Sequence, residues 1–145
     1  MRIAISGVVS LLMLLPLLTG CASMAPPPPA TASPSWGELA ELSTVVVVTL
    51  DPDGDERATT VWLVEVDGRG FIRTGGTRWF ANLERDPELR LRAGGAEYSL
   101  RSVRIDDAEL EARIDAAFRA KYGVSDRFVS LFRGRTTNRM RLDPR

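Results

Sequence analysis

Histidine is absent from all 145 residues. That one absence excludes histidine-based triads, imidazole metal ligands and histidine general bases together. Lysine is almost as scarce, with Lys121 the only one among nineteen cationic residues, the others being arginine. Cysteine occurs once, at Cys21. The formal net charge is zero. A balanced chain lacks the concentrated basic face that nucleic acid requires, so no nucleic-acid partner is expected. Catalysis here has to use carboxylates, hydroxyls or a borrowed cofactor.

What is present begins with an apolar run from Ile3 to Leu18, preceded only by Met1 and Arg2. The run is shorter than the roughly 20 apolar residues of a spanning helix, contains Pro16, and is followed by no charged stop-transfer pattern. It closes on Leu18-Thr19-Gly20-Cys21, an aliphatic residue, two small ones and the cysteine. That order resembles the lipobox of bacterial lipoproteins, in which the thiol is acylated, as with palmitate, and cleavage makes the cysteine the first residue. A lone thiol in an exported protein otherwise invites intermolecular pairing. The resemblance implies a signal peptide over residues 1–20 and a membrane anchor at Cys21, because acyl chains contribute about 0.8 kcal/mol per buried methylene. Ala22 is not the aspartate that retains Gram-negative lipoproteins in the inner membrane. In a Gram-negative source this implies the outer membrane, facing the periplasm. Residues 21–35 continue with four consecutive prolines among small residues. Such a stretch favours an extended spacer at about 3.1 Å per residue.

The remaining residues, 36–145, make one domain. Ser35 with Glu38 forms a capping-box pattern for a short helix over Trp36 to Leu42, with Trp36, Leu39 and Ala40 on one face. Thr44 to Leu50 is a β-branched run that reads as a strand buried on both faces, and Asp51-Pro52-Asp53-Gly54 as a turn. Arg57 to Val66 and Gly70 to Thr74 form a hairpin about Asp67-Gly68. A short helix is predicted over Arg78 to Arg85, stopped by Asp86-Pro87, followed by strands over Leu89 to Ala93 and Glu97 to Ile105 joined at Gly94-Gly95. Asp106 with Glu109 opens the longest helix, with Leu110, Ile114, Ala117, Phe118 and Tyr122 on its buried face, a solvated charged face opposite, and Gly123 at its end. An apolar patch at Phe128 to Phe132 precedes a closing strand over Thr136 to Leu142. Six strands and two or three helices without a βαβ rhythm predict a mainly β, α+β antiparallel sheet or barrel.

Two spots can carry chemistry. In Thr74-Gly75-Gly76-Thr77-Arg78 a strand passes through two glycines into a helix. Glycines admit a ligand close to the backbone, and helix-start N–H groups attract anions. Arg78 adds a guanidinium, with Asn82 one turn further on the same face. An ordinary turn with Thr77 as N-cap explains the same residues. The second spot, Thr59-Thr60-Val61-Trp62, places hydroxyls and an indole on an expected central strand; core packing is the favoured reading of that one, because buried tryptophans usually belong to a core.

Arg57 to Gly95 resembles the central section of the split-barrel flavin-binding proteins, which include the pyridoxamine-phosphate-oxidase-like group and the deazaflavin-dependent nitroreductases. The similarity extends to Trp79, Phe80 and Asn82, to the helix segment Ala117 to Gly123, and to Thr137 to Pro144. It implies a six-stranded antiparallel split β-barrel that dimerises, with FMN or a deazaflavin in the groove between subunits. Carried over to this chain, the cofactor's phosphate falls to Arg57, Thr59, Thr60, Thr74 and Arg78 with the turn Gly75-Gly76-Thr77 and Asn82. Val61 and Trp62 fall beside the ring system. The expected activity is a flavin-dependent reductase in the cell envelope. The alternative is a non-enzymatic envelope binding module that keeps the fold without the cofactor. The acidic stretch Asp51 to Glu56 departs from the basic loop of the deazaflavin enzymes.

Overall fold

The computed structural model describes residues 33–132 and 137–145, the side chains of 126–132 excepted. Cys21, the proline-rich segment and the Phe128 to Phe132 patch, as side chains, lie outside the described residues. The chain runs α1 (Trp36–Ala40), β1 (Val45–Leu50), β2 (Glu56–Val61), β3 (Leu63–Val66), β4 (Arg69–Thr74), α2 (Arg78–Arg85), β5 (Glu88–Ala93), β6 (Ala96–Arg104), α3 (Ala108–Phe132) and β7 (Asn138–Pro144). All seven strands join one sheet in the order β2-β1-β5-β6-β7-β4-β3, and every pairing is antiparallel.

The strand order explains the shape. β2 and β3 are the two edges of the sheet, yet only Trp62 separates Val61 from Leu63. One residue spans at most about 3.6 Å, so the edges must meet there and the sheet must curl into a half-barrel. The single strand expected over Arg57 to Val66 is therefore two. The six-strand count becomes seven by this break, and Thr59-Thr60 lies on an edge strand, not a central one. At the break, Tyr122 Oη accepts the Leu63 N–H at 3.2 Å and donates to the Leu63 carbonyl at 3.0 Å. Lys121 Nζ adds a second donor to that carbonyl at 2.8 Å and reaches the Leu42 carbonyl at 2.7 Å. Backbone groups of an edge strand are thus satisfied by a helix.

Inside the curl, Val45, Val47, Leu63, Ile72, Leu91, Leu100 and Leu142 pack with Trp79, Phe80 and Leu83 of α2. Outside it, α3 lays Ile114 and Phe118 on Phe71 and Val64. Each fully buried side chain of this kind contributes about 1.5–3 kcal/mol. α1 closes the inner cluster through Trp36 and Leu39. The Trp36 ring lies so close to Gly70 that a Cβ there would sit 2.2 Å from it. The hairpin turn has Asp67 at φ 52° and Gly68 at φ 72°, the left-handed pair that an Asp-Gly turn supplies.

The caps differ from expectation. Ser35 is extended at the start of α1 but makes no side-chain cap bond. Asp107, not Asp106, opens α3: its carboxylate accepts the Leu110 N–H at 2.7 Å and its carbonyl accepts the Glu111 N–H at 2.9 Å. Gly123 has φ 51° and ψ −121° and breaks α3, with helix resuming beyond it.

Candidate functional site

β4 ends at Thr74 because Gly75 and Gly76 end the ladder with β7 and turn the chain into α2. Thr74 and Gly75 are buried, whereas Gly76, Thr77 and Arg78 are exposed. The junction forms one wall of a cavity of about 310 Å³, with Thr60, Val61, Arg73 and Trp79 on its other sides. Thr74 Oγ1 lies 2.9 Å from Thr77 Oγ1 and donates to the Gly75 carbonyl at 3.1 Å. Thr77 sits at the N-cap with extended backbone, but its hydroxyl turns to Thr74 and makes no cap bond. The first N–H groups of α2 are therefore left without a capping side chain, and they carry the positive end of the helix dipole. Two hydroxyls, bare helix N–H groups and the nearby Arg78 guanidinium make this junction suited to an anion.

Beside it, a polar cluster links β2 to α2. Arg57 Nε donates to Asp51 Oδ1 at 2.8 Å, and its Nη2 reaches Asp51 Oδ2. Asn82 Nδ2 donates to the same Asp51 Oδ1 at 2.7 Å and to Thr49 Oγ1 at 3.1 Å. Arg85 donates to Asn82 Oδ1 at 3.2 Å and to the Leu50 carbonyl. The bonds from Arg57 and Asn82, with the charges of Arg57 and Arg78, hold the Asp51 carboxyl down at about 2.

The sequence-predicted residues thus separate into three groups. Thr60, Val61, Thr74, Gly75, Gly76 and Thr77 line one cavity, and Arg78 follows directly on the exposed first turn of α2. Arg57 and Asn82 converge on Asp51 instead. Thr59 is half-buried on the face of β2 opposite Thr60. Trp62 is half-buried and stacks on Tyr122, with ring centroids 4.4 Å apart and planes 9° from parallel, so it packs against α3. Sequence reasoning missed Arg73, Trp79 and Asp51. The signal for Asp51 was available, because a β1–β2 hairpin with Leu50 opposite Glu56 brings Asp51 beside Arg57.

On the other side of β4 the charges are closed. Arg73 lies with its guanidinium 4.1 Å from the centroid of the Phe118 ring and 3.1 Å from Asp115 Oδ1. Arg139, opposite Arg73 in the ladder, binds Asp115 at 3.0 and 2.6 Å and Glu111 at 3.0 Å. Burial alone would raise the Asp115 carboxyl, yet it is lowered because Arg139 and Arg73 hydrogen-bond to its charged form. Glu111 and Asp115 were expected on a solvated face of α3 but face the sheet. Their partners lie on β4 and β7, far away in sequence, so helical periodicity alone could not place them.

A curled antiparallel sheet whose edges join across a one-residue break, with one helix within the curl and one outside, defines the split-barrel class. The chain belongs to the family described as uncharacterized proteins conserved in bacteria, DUF2255, which matches residues 37–140. Three solved structures of the same fold are similar to it. A conserved hypothetical protein from Mycobacterium tuberculosis is 18% identical, with a TM-score of 0.60, over 83% of this chain and 86% of its own. A putative pyridoxamine 5'-phosphate oxidase from Listeria innocua is 12% identical, with a TM-score of 0.56, over 74% and 88%. An F420-H2 dependent reductase is 16% identical, with a TM-score of 0.54, over 70% and 94%. No curated protein matches the chain in sequence.

Proposed function

We propose that this protein is a cell-envelope lipoprotein, anchored through an acylated Cys21, whose split barrel binds FMN or a deazaflavin and serves a reductase. The observation that carries this reading is the cavity between the end of β2 and the β4–α2 junction. Its volume, about 310 Å³, lies at the lower end of ligand pockets and suits the phosphate-bearing end of such a cofactor. The Thr74 and Thr77 hydroxyls and the α2 N–H groups would hold the phosphate, Arg78 would balance its charge, and Val61 and Trp79 would cover apolar surface. A bound flavin would supply hydride transfer, chemistry that amino-acid side chains do not provide. The protein's part is to bind, orient and exclude water. Fold likeness to an F420-H2 dependent reductase and a putative pyridoxamine 5'-phosphate oxidase supports the cofactor class. A homodimer is part of the proposal, since a domain of this size buries a modest share of its surface alone. In a Gram-negative source the protein sits in the outer membrane, facing the periplasm.

The visible spectrum and calorimetry of the purified protein with FMN, riboflavin and F420 test the reading. Saturable binding with a perturbed flavin spectrum is the expected result. Absence of binding to all three leaves the alternative, an envelope module that keeps the fold without the cofactor. The Asp51–Arg57 pair favours that alternative to a degree, because it occupies one of the cations a phosphate would use. Replacing Cys21 with Ala should abolish acylation and release the domain from the membrane; retention at unchanged mature size overturns the anchor.

A further inference from the structure

The two elements that frame the cavity are also joined by a carboxylate. Arg57 lies on β2, the strand that supplies Thr60 and Val61, and Asn82 lies on α2, one turn beyond Arg78. Both bind Asp51, and the Arg78 charge acts on Asp51 as well. Asp51 is therefore a fixed anion held by Arg57 and Asn82 and within reach of the Arg78 charge. Of the paired side chains, Asp51 is the more enclosed, 14% exposed against 31% for Arg57. Asp51 is also held by Asn82, whose own amide is fixed by Thr49 and Arg85. The carboxylate is thus the anchored partner and the guanidinium the one that can move. Its two-pronged contact is the geometry in which arginine binds a phosphate.

We propose that Asp51 is a specificity-determining residue, an internal counter-anion that engages Arg57 and so limits the preference of the site for a phosphate-bearing flavin. With Arg57 engaged, Arg78 is the cation left for the anionic end of a ligand, and the fixed carboxylate repels a second negative charge. The preference for FMN over riboflavin that Arg78 and the α2 junction supply is then smaller than it would be with Arg57 free to add a second charge-assisted contact. This rests on the flavin-site reading above.

The test is the ratio of riboflavin to FMN dissociation constants for the full-length protein in detergent, by titration calorimetry. The wild-type ratio is the reference. Asp51→Asn keeps the side-chain shape and removes the charge, and should raise the ratio ten- to a hundredfold, the range of one charge-assisted contact. Adding Arg57→Gln to Asp51→Asn should return the ratio to the wild-type range, because the gain belongs to the released guanidinium. Asp51→Ala should repeat the result if the asparagine variant folds poorly, with circular dichroism as the check. FMN binding gained by Asp51→Asn where the wild type binds neither flavin also supports the proposal. An unchanged or lower ratio in Asp51→Asn, or a ratio that stays high in the double variant, overturns the proposal and leaves the flavin reading intact. No flavin bound by any of these proteins overturns both.

Discussion

The two sides of β4 use arginine in opposite ways. Toward α3, Arg73 is 7% exposed in its side chain and closed in by Asp115 and the Phe118 ring, with Arg139 sharing the same carboxylate. Toward α2, Arg78 is exposed on a helix start whose cap residue gives its hydroxyl to a neighbour. A charge with its partners satisfied in low dielectric holds elements together, whereas an exposed charge beside unpaired donors remains available to a ligand. The contrast separates the part of the barrel that maintains the fold from the part suited to binding.

Removing Asp115 should break the closed side most severely. Asp115→Ala removes the carboxylate that Arg73 and Arg139 share, and losing such part-buried charge-assisted hydrogen bonds costs about 1.5–3 kcal/mol. A urea midpoint that falls with its slope unchanged would confirm it; an unchanged midpoint would show that the network contributes little. On the open side, Arg78→Ala should weaken FMN binding roughly ten- to a hundredfold while the urea midpoint stays within experimental scatter. Equal loss of stability in both variants would dissolve the distinction. Tyr122→Phe tests the clip at the sheet break: losing the hydroxyl that serves both Leu63 backbone groups should cost about 1–2 kcal/mol with ligand affinity little changed.

Acid provides the finest comparison. Asp51 falls from 3.8 to about 2 on folding. Its contribution to stability is therefore full above about pH 4 and is lost as the pH falls through 2. Asp115 is lowered as well, so its contribution is also present at neutral pH and lost in acid. Asp51→Asn should flatten the stability curve between pH 4 and 2. Both substitutions flatten the acid limb by lowering the neutral plateau, and the drop should be larger for Asp115→Asn, whose carboxylate is shared by two arginines. Identical curves for both variants would remove the asymmetry between the two sides.

Much of this architecture is legible locally. α2 occupies Arg78–Arg85, where the pattern before Asp86-Pro87 placed it. β5 alternates buried Leu89, Leu91 and Ala93 with outward Arg90 and Arg92. Gly94 and Gly95, at φ 58° and 79°, make the turn their lack of a side chain allows. These features depend on a few neighbouring residues, so composition and periodicity are enough to place them. The break at Trp62, the engagement of Arg57 by Asp51 and Asn82, and the inward turn of Glu111 and Asp115 toward β4 and β7 are different. Each depends on which strands become neighbours when the sheet curls, a choice made by long-range pairing and by the need to satisfy buried backbone and charge. By itself the sequence determined α2, the β5–β6 hairpin and the buried stripe of α3. Only the tertiary structure decided which arginines are closed in and that Arg78 lies open beside the cavity, because closure depends on partners far away in the chain, as Asp115 is 42 positions from Arg73.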